Sequence, residues 1–192
     1  MRMKTWLTSM PTLATVGLVL FLVLAVSSGL LMWGANFGKA MVHDQLAEQR
    51  ITFPPLGSPG LTPAQYPGLQ QYPGLQQYAG QPVDSGPKAK AYANEFIAVH
   101  LDKSGGGKTY SEVSAASQAA PGDAALAAQV QTQFRGETLR GLLLYAWGWS
   151  VVASIAAWVS IAAAVGAIAV MVGLIAGFVA HERDGRRVLV EA

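Results

Sequence analysis

The first segment that could do chemistry is 105–109 (GGGKT), which has the ending of a phosphate-binding loop. That loop also needs a glycine five residues before its Gly-Lys pair, because its backbone amides together cradle the phosphates. The residue at that position is Asp102, and no apolar strand pattern precedes it. The segment therefore predicts a flexible turn and not a nucleotide site.

Histidine is the side chain that most often binds metals, and the chain has three, at positions 43, 100 and 181. His43 with Asp44 or Glu48 comes nearest to a metal set, but no His-x-x-x-His or Glu-x-x-His pair completes it. A haem ligand would have to lie at mid-depth in an apolar helix, where only Met171 is found, and a lone methionine there is typical of packing. We therefore expect no metal, haem or other cofactor.

The composition excludes several further classes of protein. With no cysteine, the chain cannot form a disulfide framework, a Cys-based zinc site, an iron–sulfur cluster or a covalent haem attachment. Charged residues make up only 12% of the chain, and the net charge of +2 is too small and scattered to indicate nucleic acid. No Gly-x-Ser-x-Gly motif or acid pair is present. We predict that the protein is not an enzyme and has no small-molecule substrate.

The first of two uncharged apolar runs covers residues 13–33. A membrane-spanning helix needs roughly 20 apolar residues, which this run supplies. The alternative is a cleaved signal peptide, but the run is too long for a signal core and no small-x-small site ends it. We predict a transmembrane helix that ends near Trp33 and Gly34.

The second run, 141–180, is about twice as long as the roughly 20 residues that one span requires. Two helices would need a turn, yet the run has no proline and no Gly/Asn pair near its centre. We predict one long helix over 139–180, with 152–179 in the hydrocarbon. Its aromatic residues support an interfacial first half, because amphipathic rings favour the membrane surface. They are Tyr145, Trp147, Trp149 and Trp158, and the three tryptophans are also candidate contacts with a partner protein.

The positions of lysine and arginine predict the orientation. Arg2 and Lys4 precede the first run, and arginines 183, 186 and 187 follow the second. Because cytoplasmic flanks carry the excess of basic residues, we predict a plasma-membrane protein with cytoplasmic tails at 1–12 and 181–192. The domain between the spans, 34–138, would then lie outside the cytoplasm.

The sequence of that domain predicts mostly helical structure. Residues 35–49 continue the first helix, and the prolines at 54 and 55 favour an extended 51–53. Segment 88–101 predicts a helix buried on its Tyr92/Phe96/Val99 side. The predicted fold class is an all-α membrane protein, with two transmembrane helices and a small, mainly helical extracytoplasmic domain that contains a long Pro/Gly-rich irregular segment.

Capping signals predict where the later helices begin. Thr109 and Glu112 have the spacing of a capping box, in which each side chain satisfies an unpaired amide at a helix start. Asp123 is the predicted N-cap of a helix that runs directly into the second span.

The irregular segment, 54–87, contains most of the ten prolines. A hexapeptide, Tyr-Pro-Gly-Leu-Gln-Gln, begins at Tyr66 and again at Tyr72, and a shorter Tyr-Ala-Gly begins at Tyr78. Each Pro-Gly pair predicts a type II turn, since proline presets φ and glycine accepts a positive φ. Two interpretations stay open: a coil laid over the domain, or an arm whose three tyrosines contact a partner protein.

Small residues at helical spacing predict close helix packing in the second run. Gly166, Gly173 and Gly177 lie near one face, and Gly173 and Gly177 form a Gly-x-x-x-Gly pair. Ser28 and Gly29 of the first run could face them. The partner is either the first run or a helix of another subunit, and an alanine-rich composition is the alternative explanation. A second small stripe consists of Ala153, Ala157, Ser160 and Ala164.

Four sequence blocks carry a resemblance to a known family. They begin at Ile51 (ITFPP), Tyr72 (YPGLQQYAGQ), Lys88 (KAKAYANEFIAVHL) and Phe134 (FRGETLRGLLL). They resemble a family of actinobacterial membrane proteins with two spans and an external domain, often mislabelled as an aromatic ring-opening dioxygenase LigA. The doubled hexapeptide departs from the single copy expected of the family. The dioxygenase label does not fit, because the sequence offers no two-His, one-carboxylate iron site.

The resemblance implies an accessory subunit of the actinobacterial cytochrome bcc–cytochrome oxidase respiratory supercomplex. We therefore expect a non-catalytic accessory or assembly protein whose partners are membrane lipids and other membrane-protein subunits, and not nucleic acid. The alternative is a stand-alone envelope protein whose external domain binds a ligand or a cell-wall component.

Overall fold

A computed structural model describes residues 3–62 and 66–190, with side chains described between 12 and 183. Arg2, part of the irregular segment (63–65) and the end of the predicted carboxyl-terminal tail (191–192) lie outside the described residues. Within them the chain is all-helical, as predicted. The α-helices are α1 (Met3–Glu48), α2 (Pro73–Gln77), α3 (Gly86–Ala91), α4 (Ala98–Gly105), α5 (Tyr110–Ala119) and α6 (Ala124–Val190).

The two apolar runs form the longest helices. Segments Thr12–Glu48 of α1 and Ala124–Arg183 of α6 are long and apolar enough to cross a membrane. The most apolar stretch of α1 is entirely unburied, and that of α6 is 11% buried. This differs from a core helix of a soluble protein, which hides its apolar side chains. The predicted helix that begins after Asp123 does run on through the second run without a break, and it continues helically through the predicted tail to Val190.

The chain divides into two compact units, Met1–Asn36 with Ala153–Ala192 and Phe37–Val152. The first unit, the helix-pair unit, contains the amino-terminal part of α1 and the carboxyl-terminal part of α6. These two segments are antiparallel, because Ser28 contacts Ser160 while the earlier Gly17 faces the later Leu174.

The second unit, the domain, is built on a helical layer. Helix α3, a π-helical segment (Tyr92–Ile97) and α4 follow one another and lie antiparallel along α6. Three glycines allow this close approach: a Cβ on Gly86 would collide with Ser150, one on Gly105 with Gln133, and one on Gly136 with Leu101. The core beneath includes Phe53, Leu61, Leu75, Val83, Ile97 and Leu143.

The buried face of this layer differs from the prediction. Ala93, Ile97 and Leu101 are buried, whereas Tyr92, Phe96 and Val99 are half-buried at the edge of the core. The small Ala93 lets the backbone approach the core, so the larger aromatic rings lie beside it. The π-helical turn widens the helix at this point, and no residue pattern in the sequence predicted it.

The two hexapeptide copies adopt different conformations. Gly68 of the first copy has φ +76°, the positive value that a Pro-Gly turn requires. In the second copy Gly74 lies inside α2 and is buried against Ala91, so the turn prediction is wrong there. The backbone amide of Leu75 donates to Glu95 Oε2 at 3.0 Å, which holds this helical turn on the layer.

Backbone hydrogen bonds attach the irregular segment to the rest of the domain. The Phe53 amide donates to the Gln81 carbonyl at 2.9 Å, and the Val83 amide donates to the Ile51 carbonyl at 2.8 Å. Thr52 and Pro82 form an isolated antiparallel bridge between them. The predicted extended conformation of 51–53 thus serves to bury Phe53 and Val83.

Both predicted caps are present. The Glu112 amide donates to Thr109 Oγ1, and Glu112 Oε2 accepts from the Thr109 amide at 2.7 Å, which completes the capping box of α5. Asp123 Oδ1 accepts from the amides of Ala125 and Leu126 at the start of α6. The glycine-rich segment ends α4 with a left-handed Gly106, a turn as predicted.

Candidate helix-packing and partner-contact surfaces

A reciprocal serine pair joins the two helices of the helix-pair unit. Ser160 Oγ donates to the Ser28 carbonyl at 2.8 Å, and Ser28 Oγ donates to the Ser160 carbonyl at 3.0 Å. Ser160 is 1% exposed. In an apolar environment such bonds contribute to helix association, because a hydroxyl without a protein partner could not form a hydrogen bond to water there.

Small residues continue this contact along both helices. A Cβ on Gly17 would lie 2.6 Å from Leu174 Cδ2, and one on Gly166 would lie 3.5 Å from Leu24 Cδ1. Buried small residues recur every seven positions, which is the spacing of one side of a pair of packed helices. They are Ala153, Ser160 and Ala167 on α6.

The Gly-x-x-x-Gly pair lies at the edge of this contact, where Gly173 and Gly177 line an open groove with Leu13 and Ala14 of α1. Gly173, Gly177 and the predicted Gly29 have nothing within 4 Å of an added Cβ. On α6 the two glycines belong to a row of exposed or half-exposed small residues at helical spacing, here called the small face. Its members are Ala162, Ala169, Gly173, Gly177 and Ala180, whereas Gly166 contacts Leu24 of α1.

The tryptophans differ in their surroundings. Trp147 is half-buried, with Lys90 Nζ 4.4 Å above its ring, so it packs within its own domain. Trp149 is exposed and meets the Tyr145 ring edge-on at 6.1 Å. Trp158 is 72% exposed. Of the three tryptophans predicted as partner contacts, Trp149 and Trp158 are therefore accessible.

The tyrosines of the repeat lie mainly inside the domain. Tyr66 is 2% exposed and its ring lies in the chain's own core, so the partner-arm interpretation is wrong for this candidate contact residue. It stacks edge-on with Tyr72 at 5.2 Å, and Tyr78 packs on Phe53 at 5.6 Å. Tyr72 and Tyr78 are half-buried. The arrangement matches the coil interpretation of these residues.

The imidazole of His100 lies beside the Tyr66 hydroxyl. The hydroxyl lies 3.2 Å from His100 Nδ1, which in turn lies 2.8 Å from the Phe96 carbonyl. A carbonyl can only accept, so Nδ1 carries the proton and donates to it. Burial, followed by the nearby Tyr72 and Tyr92 hydroxyls, raises the pKa of Tyr66 far above its ordinary value. Tyr66 thus stays a neutral structural group.

His43 is also structural. His43 Nδ1 lies 2.9 Å from the Asp84 carbonyl and donates to it, which links α1 to the start of α3. Among residues 3–62 and 66–190, no cluster of three or more His, Cys, Asp or Glu side chains is placed to hold a metal ion.

Sequence reasoning missed one buried polar residue, Gln133. It is 1% exposed, and its Nε2 donates to the Leu101 carbonyl at 2.7 Å and to Ser104 Oγ at 3.2 Å. These bonds give the Leu101 carbonyl and the Ser104 hydroxyl, near the end of α4, a hydrogen-bond partner on α6. Glutamine in a helix usually faces solvent, so only its place opposite Gly105 could have revealed it.

The chain was compared with protein families, curated proteins and solved structures. No protein-family model, curated protein or solved structure matches the chain. What the arrangement can do is therefore judged from its chemistry: it offers an apolar helix pair, an uncovered small face and exposed aromatic rings.

Proposed function

We propose that this protein is a non-catalytic accessory or assembly subunit of a larger respiratory membrane complex. Its two long helices would pack on partner spans, and its domain would lie over the partners outside the cytoplasm. The sequence blocks that resemble the actinobacterial two-span family support the cytochrome bcc–cytochrome oxidase supercomplex as that assembly.

The observation that carries the proposal is the uncovered small face of α6. Lipid tails are as apolar as leucine, so helices in a membrane associate through close packing, which small residues permit. The chain's own α1 packs on the side that holds Ala153, Ser160 and Ala167, and Gly173 and Gly177 remain open. A helix of another subunit would complete this second packing surface.

Charge and aromatic residues support the same arrangement. Arg183, Arg186 and Arg187 follow the apolar run of α6, which favours a cytoplasmic carboxyl terminus. Trp149 and Trp158 are exposed on α6, where a headgroup layer or a partner could cover them. Both termini are then cytoplasmic and the domain extracytoplasmic.

Copurification from native membranes tests the proposal. The full-length chain, tagged and extracted in mild detergent, should bring down oxidase and cytochrome subunits identified by mass spectrometry. The double variant Gly173→Leu/Gly177→Leu should recover about tenfold less of them, equivalent to a loss of about 1.4 kcal/mol in association. Gly141→Leu is the matched control, because Gly141 lies on the same helix with equally open space around it.

Two results would count against this function. One is recovery of the wild-type chain as a free monomer without respiratory subunits. The other is equal copurification by the double variant and the Gly141→Leu control, which would remove the small face from the account.

A further inference from the structure

An apolar groove of about 400 Å³ opens in the domain between the end of α1 and the first turns of the uncharged run of α6. Ligand sites in proteins have volumes of about 300–1,000 Å³ and an apolar lining with a few polar groups. The groove fits that description. Its apolar lining includes Met41, Val42, Leu46, Leu142, Leu143 and Ala146.

On α1 the polar lining residues lie at one end of the groove. Along this helix the lining changes from Met41 and Val42 to Gln45, Glu48 and Gln49. On α6 the lining residues begin at Leu139 and end at Trp149. Met41 is the lining residue on α1 that is nearest in sequence to the predicted span 13–33, and Trp149 is the lining residue on α6 nearest to the predicted hydrocarbon segment 152–179. The groove thus has an amphiphilic lining, and its apolar residues on α1 are the ones closer along the chain to the predicted first span.

The charge of the lining is negative. Glu48 is its one ionisable acid, and no lysine or arginine belongs to it. A carboxylate and two amide side chains complement an ammonium group better than a phosphate that carries a net negative charge.

We propose that this groove binds one acyl chain of a zwitterionic phospholipid, with the headgroup ammonium at Glu48 and the chain along Leu143 and Ala146 toward Met41. The inference rests on the proposed membrane location but not on the proposed partners. A single phospholipid held here would fix the spacing of α1 and α6 in the domain.

Photo-crosslinking of the full chain in vesicles tests the inference without any partner. The vesicles contain equal amounts of phosphatidylethanolamine and phosphatidylglycerol, and either lipid carries a diazirine on its acyl chain. Adducts are mapped by mass spectrometry. We expect the phosphatidylethanolamine probe to label segment 139–149 about tenfold more than the phosphatidylglycerol probe, a difference of about 1.4 kcal/mol. Segment 154–179, which contacts bulk lipid, should show no such preference.

Two variants separate the parts of the inference. Ala146→Trp places an indole in the groove and should remove the adducts on 139–149, while those on 154–179 persist. Glu48→Gln keeps the shape of the side chain and should abolish the preference for phosphatidylethanolamine. Glu137→Gln is the control, because Glu137 is also on the domain but does not line the groove.

The inference is overturned if both probes label 139–149 equally in the wild type, if Glu48→Gln leaves the preference unchanged, or if a cross-linked dimer replaces the lipid adduct. A chain that alkaline carbonate extracts from the vesicles would instead contradict the membrane location. These failures are distinguishable from a failure to copurify with respiratory subunits.

Discussion

At the scale of single residues, Ser160 illustrates how two apolar helices acquire a fixed register. Its hydroxyl and that of Ser28 each donate to the other residue's carbonyl, so a shift of either helix by one residue breaks both bonds. Aliphatic side chains alone would tolerate such a shift. The serine pair therefore specifies which residues of α1 and α6 face each other.

Ser160→Ala should lower the free energy of unfolding in micelles, measured by titration with sodium dodecyl sulfate. Interhelical hydrogen bonds in membranes contribute about 0.6 kcal/mol on average and up to about 1.7 kcal/mol, and we expect a loss in that range. Thr138→Ala removes a hydroxyl whose bond, to the Phe134 carbonyl at 2.7 Å, lies within α6, and it should change the free energy much less. Equal losses for the two variants would contradict a specific serine pair.

Glu112 gives the domain a pH-dependent helix start. Hydrogen bonds from the Thr109 amide and hydroxyl, with a smaller effect of Lys108, lower the pKa of Glu112 below its ordinary value of 4.5. A carboxyl whose pKa is lowered on folding stabilises the fold above its unfolded pKa, and the stabilisation is lost as the pH falls through the folded pKa. The protection of the α5 amides against hydrogen exchange should therefore fall on acidification below about pH 4.5.

Glu112→Gln is the matched variant for this measurement, because glutamine can still fill a capping box but does not titrate in this range. Protection of α5 in the variant should be independent of pH there. A pH dependence as steep as that of the wild type would show that another group causes it.

These residue roles were predictable to different degrees. The capping box of Thr109 and Glu112 was predictable, because it depends only on residues three positions apart in the sequence. Ser28 and Ser160 were recognised as small helix-facing residues, but their pairing depends on the register of two helices far apart in sequence. The conformation of Gly74 was mispredicted because burial against Ala91 outweighs a turn preference that the identical first copy follows at Gly68.

At the scale of elements, α6 has different neighbours along its length. In the domain it packs on α4, where Gly136 leaves room for Leu101. Further along it packs on α1 through small residues, and its small face remains open. A single uncharged run thus contains several distinct contact surfaces, and composition alone could not separate them.

Gly136→Ala and Gly141→Ala should have opposite effects on the melting temperature of the full-length chain in micelles. Alanine favours a helix over glycine by up to about 1 kcal/mol, so Gly141→Ala, with open space around it, should stabilise. At Gly136 the added methyl meets the Leu101 side chain, and overpacking costs about 1–3 kcal/mol, so this variant should melt lower. A higher melting temperature for both variants would show that α4 does not approach α6 closely.

The long helices and their starts were predictable, since uncharged length and capping residues are properties of neighbouring positions. The π-helical segment was not, because it depends on how Ala93 and Ile97 fit the core beneath them. The helical continuation of α6 to Val190, through what the charges predicted as a tail, is likewise absent from the charge pattern.

At the scale of the whole molecule, the central claim is that two helices cross the membrane and that the domain between them lies outside the cytoplasm. Large apolar side chains cover the outside of both helices, including Leu30 and Val165 at 65% and 60% exposure. A chain with that surface needs lipid or partner helices around it. The proposed orientation rests on the basic residues that flank the apolar runs.

Labelling of single cysteines in intact cells tests this claim most directly, because the natural chain contains no cysteine. Gln70→Cys in the domain and Arg187→Cys near the carboxyl terminus are each treated with a membrane-impermeant maleimide. We predict that the cysteine at 70 reacts in intact cells and that the cysteine at 187 reacts only after permeabilisation. Labelling of both positions in intact cells, or of 187 alone, would contradict the account.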